Sequence, residues 1–339
     1  MRPLLAVAAA LSFTLATALH AQEAPSPGGP PPKSSAEEQP RDIGDVQTLK
    51  VDVNLVNVYF SVRDKNGFIT NLHKDDCSIA EDKAPQVIKN FTQEKTLPLT
   101  IGILLDTSGS QQNVLPLEQD AGARFLKEVL TPKDEAFLIS FDINIDLLAD
   151  YTNNPTELRR AMNRAQINTG ASSGGVTGNA PTGGTKLYDA VYLAAHDKLK
   201  QEAGRKVLIL LTDGGENGSQ ETLKSSIESA QKSNAIIYVI LIADSGNFGQ
   251  FSFGGTGDMD RLSKETGGRV INVGNNGRKL EDAFNQIQNE LRTQYLLSFT
   301  PTNRKVDGTF RKLDISCGKE GKIQTRKGYY ALAGGGDDN

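Results

Sequence analysis

Two short apolar runs constrain this chain more than anything else in it: Leu99–Leu105 and Val207–Leu211. Each has the length of a strand and lacks the polar alternation of a half-exposed one. Such runs belong to strands covered on both faces, as in the interior of a parallel sheet. Each also ends in a polar turn, Asp106-Thr107-Ser108-Gly109-Ser110 after the first and Thr212-Asp213-Gly214-Gly215 after the second. Beyond the first turn, Val114, Leu117, Ala121, Phe125 and Val129 recur at spacings of three and four, the signature of an amphipathic helix. Strand, turn and helix then alternate as far as the helical pattern of Leu280, Phe284, Ile287 and Leu291, which predicts an α/β domain with a doubly wound, mostly parallel sheet.

In open sheets of this kind, ligands bind beyond the carboxyl ends of the strands. Asp106, Ser108 and Ser110 put one carboxylate and two hydroxyls there. Oxygen donors suit a hard divalent cation, although the same residue types also cap helices by accepting from free backbone N–H groups. Two further residues fall on the same edge. Thr185 precedes a helical pattern carrying Leu187, Val191, Ala194 and Ala195, and Asp213 ends the second apolar run.

The set Asp106, Ser108, Ser110, Thr185 and Asp213 resembles the metal-ion-dependent adhesion site (MIDAS) of the von Willebrand factor type A (VWA) domain. That family's pattern is Asp-x-Ser-x-Ser, then a Thr, then an Asp, each in a loop at one edge of the sheet. The resemblance covers roughly residues 98 to 293. It implies Mg2+, with Mn2+ or Ca2+ as substitutes, bound directly by Ser108, Ser110 and Thr185 and partly through water by Asp106 and Asp213. Neutral hydroxyl ligands leave the ion electrophilic, so an open position can take an Asp or Glu carboxylate from a partner protein.

The chain begins with Arg2 and an apolar core from Leu4 to Leu19, which reads as a signal peptide over residues 1–21 and predicts export, periplasmic or secreted. Residues 22–47 are rich in Pro, Ser, Gly and charge and read as a disordered linker. No transmembrane segment is expected after signal removal. Net charge is -4 with no basic block, which argues against nucleic acid as partner. Residues 48–97 and 294–333 show alternating apolar patterns, with an Asn66-Gly67 turn between two of them. Neither flank carries enough strands for its own sheet, but together they supply about six, enough for a small β-sandwich with the VWA domain (98–293) inserted in it. Cys77 shares a phase with Ile79, and Cys317 with Leu313 and Ile315, so a shared core offers a disulfide between them in an oxidising compartment. Residues 334–339 read as a disordered tail. Val62–Gly67, Ala80–Ile88 and Gly328-Tyr329-Tyr330 also resemble a family of exported VWA proteins described from acidobacteria, which adds architecture rather than function.

Two Gly-rich stretches adjoin the ligand edge, one between Asn168 and Gly184, the other over Gly246–Gly257 with Phe248, Phe251 and Phe253. The first reads as a functional loop or a solvated insertion, and the second as a candidate contact patch through its Phe side chains or as a loop packed over them. The function expected is a metal-dependent protein-binding module and not an enzyme. The alternative is a metal-assisted hydrolase at the same cluster, which needs a general acid or base. The candidates for that role are His73, His196 and, best placed, Glu216.

Overall fold

The molecule is described by a computed structural model that covers residues 55–168, 184–242, 252–318 and 321–332. The expected signal peptide, linker and tail, the first Gly-rich loop and Phe248 and Phe251 of the second lie outside the described residues.

Five strands precede the α/β region: β1 (Val56–Asp64), β2 (Gly67–Phe68), β3 (Cys77–Glu81), β4 (Ala84–Gln86) and β5 (Ile88–Gln93). Then come β6 (Leu99–Asp106), α1 (Leu115–Val129), β7 (Glu135–Phe141), β8 (Ile145–Thr152) and α2 (Pro155–Met162). The region continues with α3 (Leu187–Leu193), β9 (Arg205–Thr212), α4 (Leu223–Lys232) and β10 (Ala235–Leu241). It closes with α5 (Ser252–Thr266), β11 (Val270–Asn272) and α6 (Gly277–Thr293). Four strands follow: β12 (Tyr295–Phe299), β13 (Phe310–Cys317), β14 (Lys322–Thr325) and β15 (Gly328–Tyr330).

The central sheet runs β11-β10-β9-β6-β7-β8, parallel throughout except for β8, which pairs antiparallel with β7. Every residue of β6, β9 and β10 is buried, which is what their unbroken apolar runs demand. One apolar layer packs α1, α2 and α6 on one face of the sheet, and a second packs α3, α4 and α5 on the other. Gly102, at the middle of β6, makes room for its neighbours: a Cβ there would lie 2.4 Å from the Phe137 ring. Helix α2 starts where Asn154-Pro155 implies, with the Asn154 side chain accepting from the N–H groups of Thr156 and Glu157.

The flanks form two antiparallel sheets, β14-β1-β12-β5 with β2 beside β1, and β15-β13-β3-β4. Each contains strands from both ends of the chain, because β1 pairs with β12 and β14, and β13 with β3. Their facing side chains, among them Val58, Phe60, Ile79, Leu297, Phe299 and Leu313, make one buried core. Cys77 and Cys317 stand directly opposite each other in the β3–β13 register and are joined as a disulfide. Among the described residues the flanks hold nine strands rather than about six. The extra ones, β2, β4 and β15, are two or three residues long, too short to show alternation. Strand β1 begins at Val56, and Leu55 just before it is exposed.

Helix α3 does not continue regularly: residues Ala194–Leu199 form a π-helical segment carrying the exposed His196. The second Gly-rich stretch is also not a loop to its end, since α5 begins at Ser252 and takes in position 253. The glycines there serve a contact. A Cβ on Gly255 would lie 2.1 Å from the Gly214 carbonyl oxygen, so α5 approaches the Asp213 turn as closely as backbone can.

Candidate metal centre at the carboxyl edge of the sheet

Asp106 is the last residue of β6, and its side chain is fully buried. One carboxylate oxygen accepts from the Ser108 hydroxyl at 2.6 Å and the Ser108 N–H at 3.0 Å. The other accepts from the Thr212 hydroxyl at 2.6 Å, which ties the β6 loop to the end of β9. The Ser108 and Ser110 hydroxyls are 3.1 Å apart. A short 3-10 turn, Gly109–Gln111, aims both into the same space before α1 begins.

Asp213 follows β9 and is half-buried, with one oxygen accepting from the Gly215 N–H at 2.9 Å. The turn it opens needs Gly214, whose φ of +86° is a left-handed conformation that favours glycine. Thr185 is held from both sides. It exchanges a pair of backbone hydrogen bonds with Asn217, of 2.9 and 3.0 Å, and the next N–H, that of Lys186, donates to the Asp142 carbonyl. The loops that carry the five expected residues thus meet at one edge, the three bracing contacts running from Asp106 to Thr212, from Thr185 to Asn217 and from Lys186 to Asp142.

Electrostatics at this edge are uncompensated. Burial first, and the neighbouring Asp213 carboxylate second, push Asp106 up to about 7. A cation beside two carboxylates would favour their ionised forms and so offset both causes of that shift. The donor set therefore fits a hard divalent ion: hydroxyls and carboxylates only, with the buried acid short of positive charge. Among the described residues no cluster of three or more His, Cys, Asp or Glu side chains stands in metal-holding geometry, so any such site here relies on its hydroxyls.

Four residues of this region are absent from the sequence motif. Asp142, 7 % exposed, accepts from the Thr107 hydroxyl, the Asn144 N–H and the Asn168 side-chain amide, bracing the β6 loop from the end of β7. Thr212 is the second brace on Asp106. Glu118 and Gln111 are fully buried, and among the described residues neither carboxylate oxygen of Glu118 nor either amide atom of Gln111 has a hydrogen-bond partner. Glu118 sits one turn into α1, and burial followed by the charges of Asp106 and Asp213 holds its carboxyl well above the usual carboxylate range. A charged residue in the buried stripe of an amphipathic helix was the only available signal, and the stripe Leu115, Glu118, Ala121, Phe125 contains it.

The three candidate acid–base groups fall elsewhere or are otherwise occupied. His73 lies before a 3-10 turn in the sandwich, exposed beside Asp76. His196 stacks on Tyr192 and pairs with Asp197 on the surface of the π-helical segment. Glu216 accepts from the Tyr188 N–H near the start of α3 and from both the N–H and the hydroxyl of Ser219. Its carboxylate fastens the β9–α4 loop to α3.

Residues 101–216 match the family model of the von Willebrand factor type A domain. The fold of the central region is VWA-like. The match spans β6 through the turn after β9 and includes Asp106, Ser108, Ser110, Thr185 and Asp213. No curated protein matches the chain. Solved structures similar to this VWA-like region include the conserved hypothetical protein BatB from Bacteroides thetaiotaomicron. It is 16% identical, with 57% of this chain and 98% of that one covered and a TM-score of 0.44. The vWF domain of the type V pili tip protein Mfa5 from Porphyromonas gingivalis is 14% identical, covering 58% and 95%, at 0.42. Proximal thread matrix protein 1 from the mussel byssus, described with a zinc-occupied MIDAS motif, is 16% identical, covering 61% and 48%, at 0.47.

Proposed function

We propose that this protein is an exported, metal-dependent binding module. Its VWA-like edge holds Mg2+, or Mn2+ or Ca2+ in its place, and captures a carboxylate offered by a partner protein. The observation that carries this reading is the buried Asp106 carboxylate, hydrogen-bonded to Ser108 and Thr212, beside a second carboxylate and two converging serine hydroxyls with no cationic side chain among its partners. Ser108, Ser110 and Thr185 would hold the ion, with Asp106 and Asp213 supplying the balancing charge around it. When bound, the ion supplies a Lewis-acidic position for an incoming anion. The chain's own contribution is rigidity: Thr212, Asp142 and Asn217 fix the three loops before any ligand arrives. Binding rather than hydrolysis is favoured by the position of Glu216, whose oxygens are taken up in fastening its loop.

The test is calorimetry of the metal-free chain with MgCl2 and MnCl2. One dominant site is expected in wild type, with loss of that site and retention of the fold in Asp106→Ala. Equal binding by wild type and an Asp106→Ala, Asp213→Ala double variant would defeat the reading. A capture experiment from the exported fraction, with Mg2+ and with chelator, then identifies the partner by mass spectrometry.

A further inference from the structure

At the opposite end of the central sheet, where the VWA-like region joins the sandwich, lies a cleft of about 690 Å³. Strand β1, the turn after it, β2 and β14 form one wall, and the end of α5, the start of β11 and the last turns of α6 form the other. Six basic side chains line it: Arg63, Lys65, Lys264, Arg269, Lys322 and Lys327, against two carboxylates, Asp64 and Glu290. They come from three separate stretches, 63–65, 264–269 and 322–327, of a chain whose net charge is -4, so the concentration here is local.

Both carboxylates are already engaged. Asp64 accepts from the N–H groups of Asn66 and Gly67 and so closes its own turn. Glu290, 1 % exposed, pairs with Arg269 at 3.1 Å and accepts from Tyr238, Ser61 and Gln324. Lys264 is paired with Asp260. Among the described residues Arg63, Lys65, Lys322 and Lys327 form no ion pair, and all four are exposed. Like charges crowded in a concave, partly apolar site repel one another and focus a positive potential into it. The half-buried Phe68 and Ile323 line the same space and give it apolar wall. Its volume is that of a small-molecule site, not of a flat polymer track.

We propose that this cleft binds a compact organic polyanion bearing phosphate or sulfate esters. Arg63 offers a bidentate fork and Lys65, Lys322 and Lys327 offer mobile point charges, the usual complement of such groups. The site lies at the end of the sheet remote from the metal edge. Strand β9 alone spans 8 residues, so about 25 Å of strand separates the two ends. The cation edge attracts a carboxylate, and the cleft takes a multiply charged anion with no ion involved.

Calorimetry of the full chain in chelator at low ionic strength tests this with two probes, inorganic tripolyphosphate and sucrose octasulfate. At least one is expected to bind with one-to-one stoichiometry, and the responding probe identifies the phosphate or sulfate source. A Lys65→Glu, Lys322→Glu variant should weaken that binding at least tenfold, while Lys127→Glu, on the exposed face of α1, leaves it unchanged. Should the double variant melt early, Lys65→Gln, Lys322→Gln replaces it with the same loss expected. Absence of one-to-one binding by either probe overturns the proposal. So does an equal loss in the cleft and Lys127 variants, which would mark general charge attraction.

Discussion

At the scale of the residue, Glu118 is a fully buried acid with no hydrogen-bond partner among the described residues. A buried carboxylate without a partner costs free energy whenever it is ionised, and the only charges acting on it, those of Asp106 and Asp213, are negative. Burial and the two neighbouring carboxylates raise its carboxyl pKa in the folded state above its unfolded value of about 4.5. Folding therefore takes up a proton there, so this group's contribution to stability is complete below about pH 4.5 and is lost as pH rises through the raised folded value. The amide of Glu118→Gln has no such dependence. In chelator, the melting temperature of wild type should fall relative to Glu118→Gln as pH rises from about 4.5 to 8. A constant difference across that range would show that the folded state holds Glu118 ionised at no cost, and would defeat this account. Asp142 makes the opposite case, a buried acid with every bond satisfied. Asp142→Ala removes one acceptor each from the Thr107 hydroxyl, the Asn144 N–H and the Asn168 amide, and should cost about 1–3 kcal/mol in urea denaturation and weaken Mg2+ binding together.

At the scale of the element, legibility in the sequence followed burial. Strands β6, β9 and β10 are buried at every position and read as unbroken apolar runs, and α1 and α6 are each packed on one face and read as stripes. Asp106, Ser108, Ser110, Thr185 and Asp213 were legible because each sits next to such an element. Strands β2, β4 and β15 were not, since two or three residues carry no period and their existence depends on a partner already in place. Glu118, Gln111, Thr212 and Asp142 were illegible for a related reason: their roles depend on contacts across 35 to 106 residues of sequence or on burial among neighbours from other elements. Helix α5 lay hidden in a glycine-rich stretch whose Gly255 is required by the backbone of Gly214. Gly255→Ala should push α5 away from the Asp213 turn, costing about 1–3 kcal/mol in denaturant and weakening Mg2+ binding. A variant with wild-type stability and metal affinity would show that α5 does not support the turn.

At the scale of the whole molecule, the inserted domain is anchored by pairing and by one covalent bond. The Cys77–Cys317 bridge closes a loop spanning 240 residues, which contains the entire VWA-like region. Chain-entropy arithmetic for a loop of that length gives about 5 kcal/mol as an upper figure. Reduction should lower the denaturation midpoint of the sandwich, and titration of the unfolded, unreduced protein should find no free thiol. Two reactive thiols per chain would remove the bond from the argument and leave the pairing of β3 with β13 intact.

The junction between the two parts has a mechanical consequence. The chain enters the VWA-like domain from the end of β5 and leaves it, with Gln294 alone intervening, into the start of β12. Those two ends are neighbours: Tyr295 pairs with Gln93, and the Glu94 N–H donates to the Gln294 carbonyl at 2.8 Å. A tug on a partner held at the far edge of the sheet therefore arrives at the same end of two adjacent strands and runs along their axes. Strand β12 resists it against β1 through the pairs from Val56–Phe299 to Phe60–Tyr295, all strained at once rather than opened in succession. Loading in shear is the arrangement in which a row of weak bonds shares force, so the sandwich would act as an anchor plate for any partner captured at the proposed metal edge.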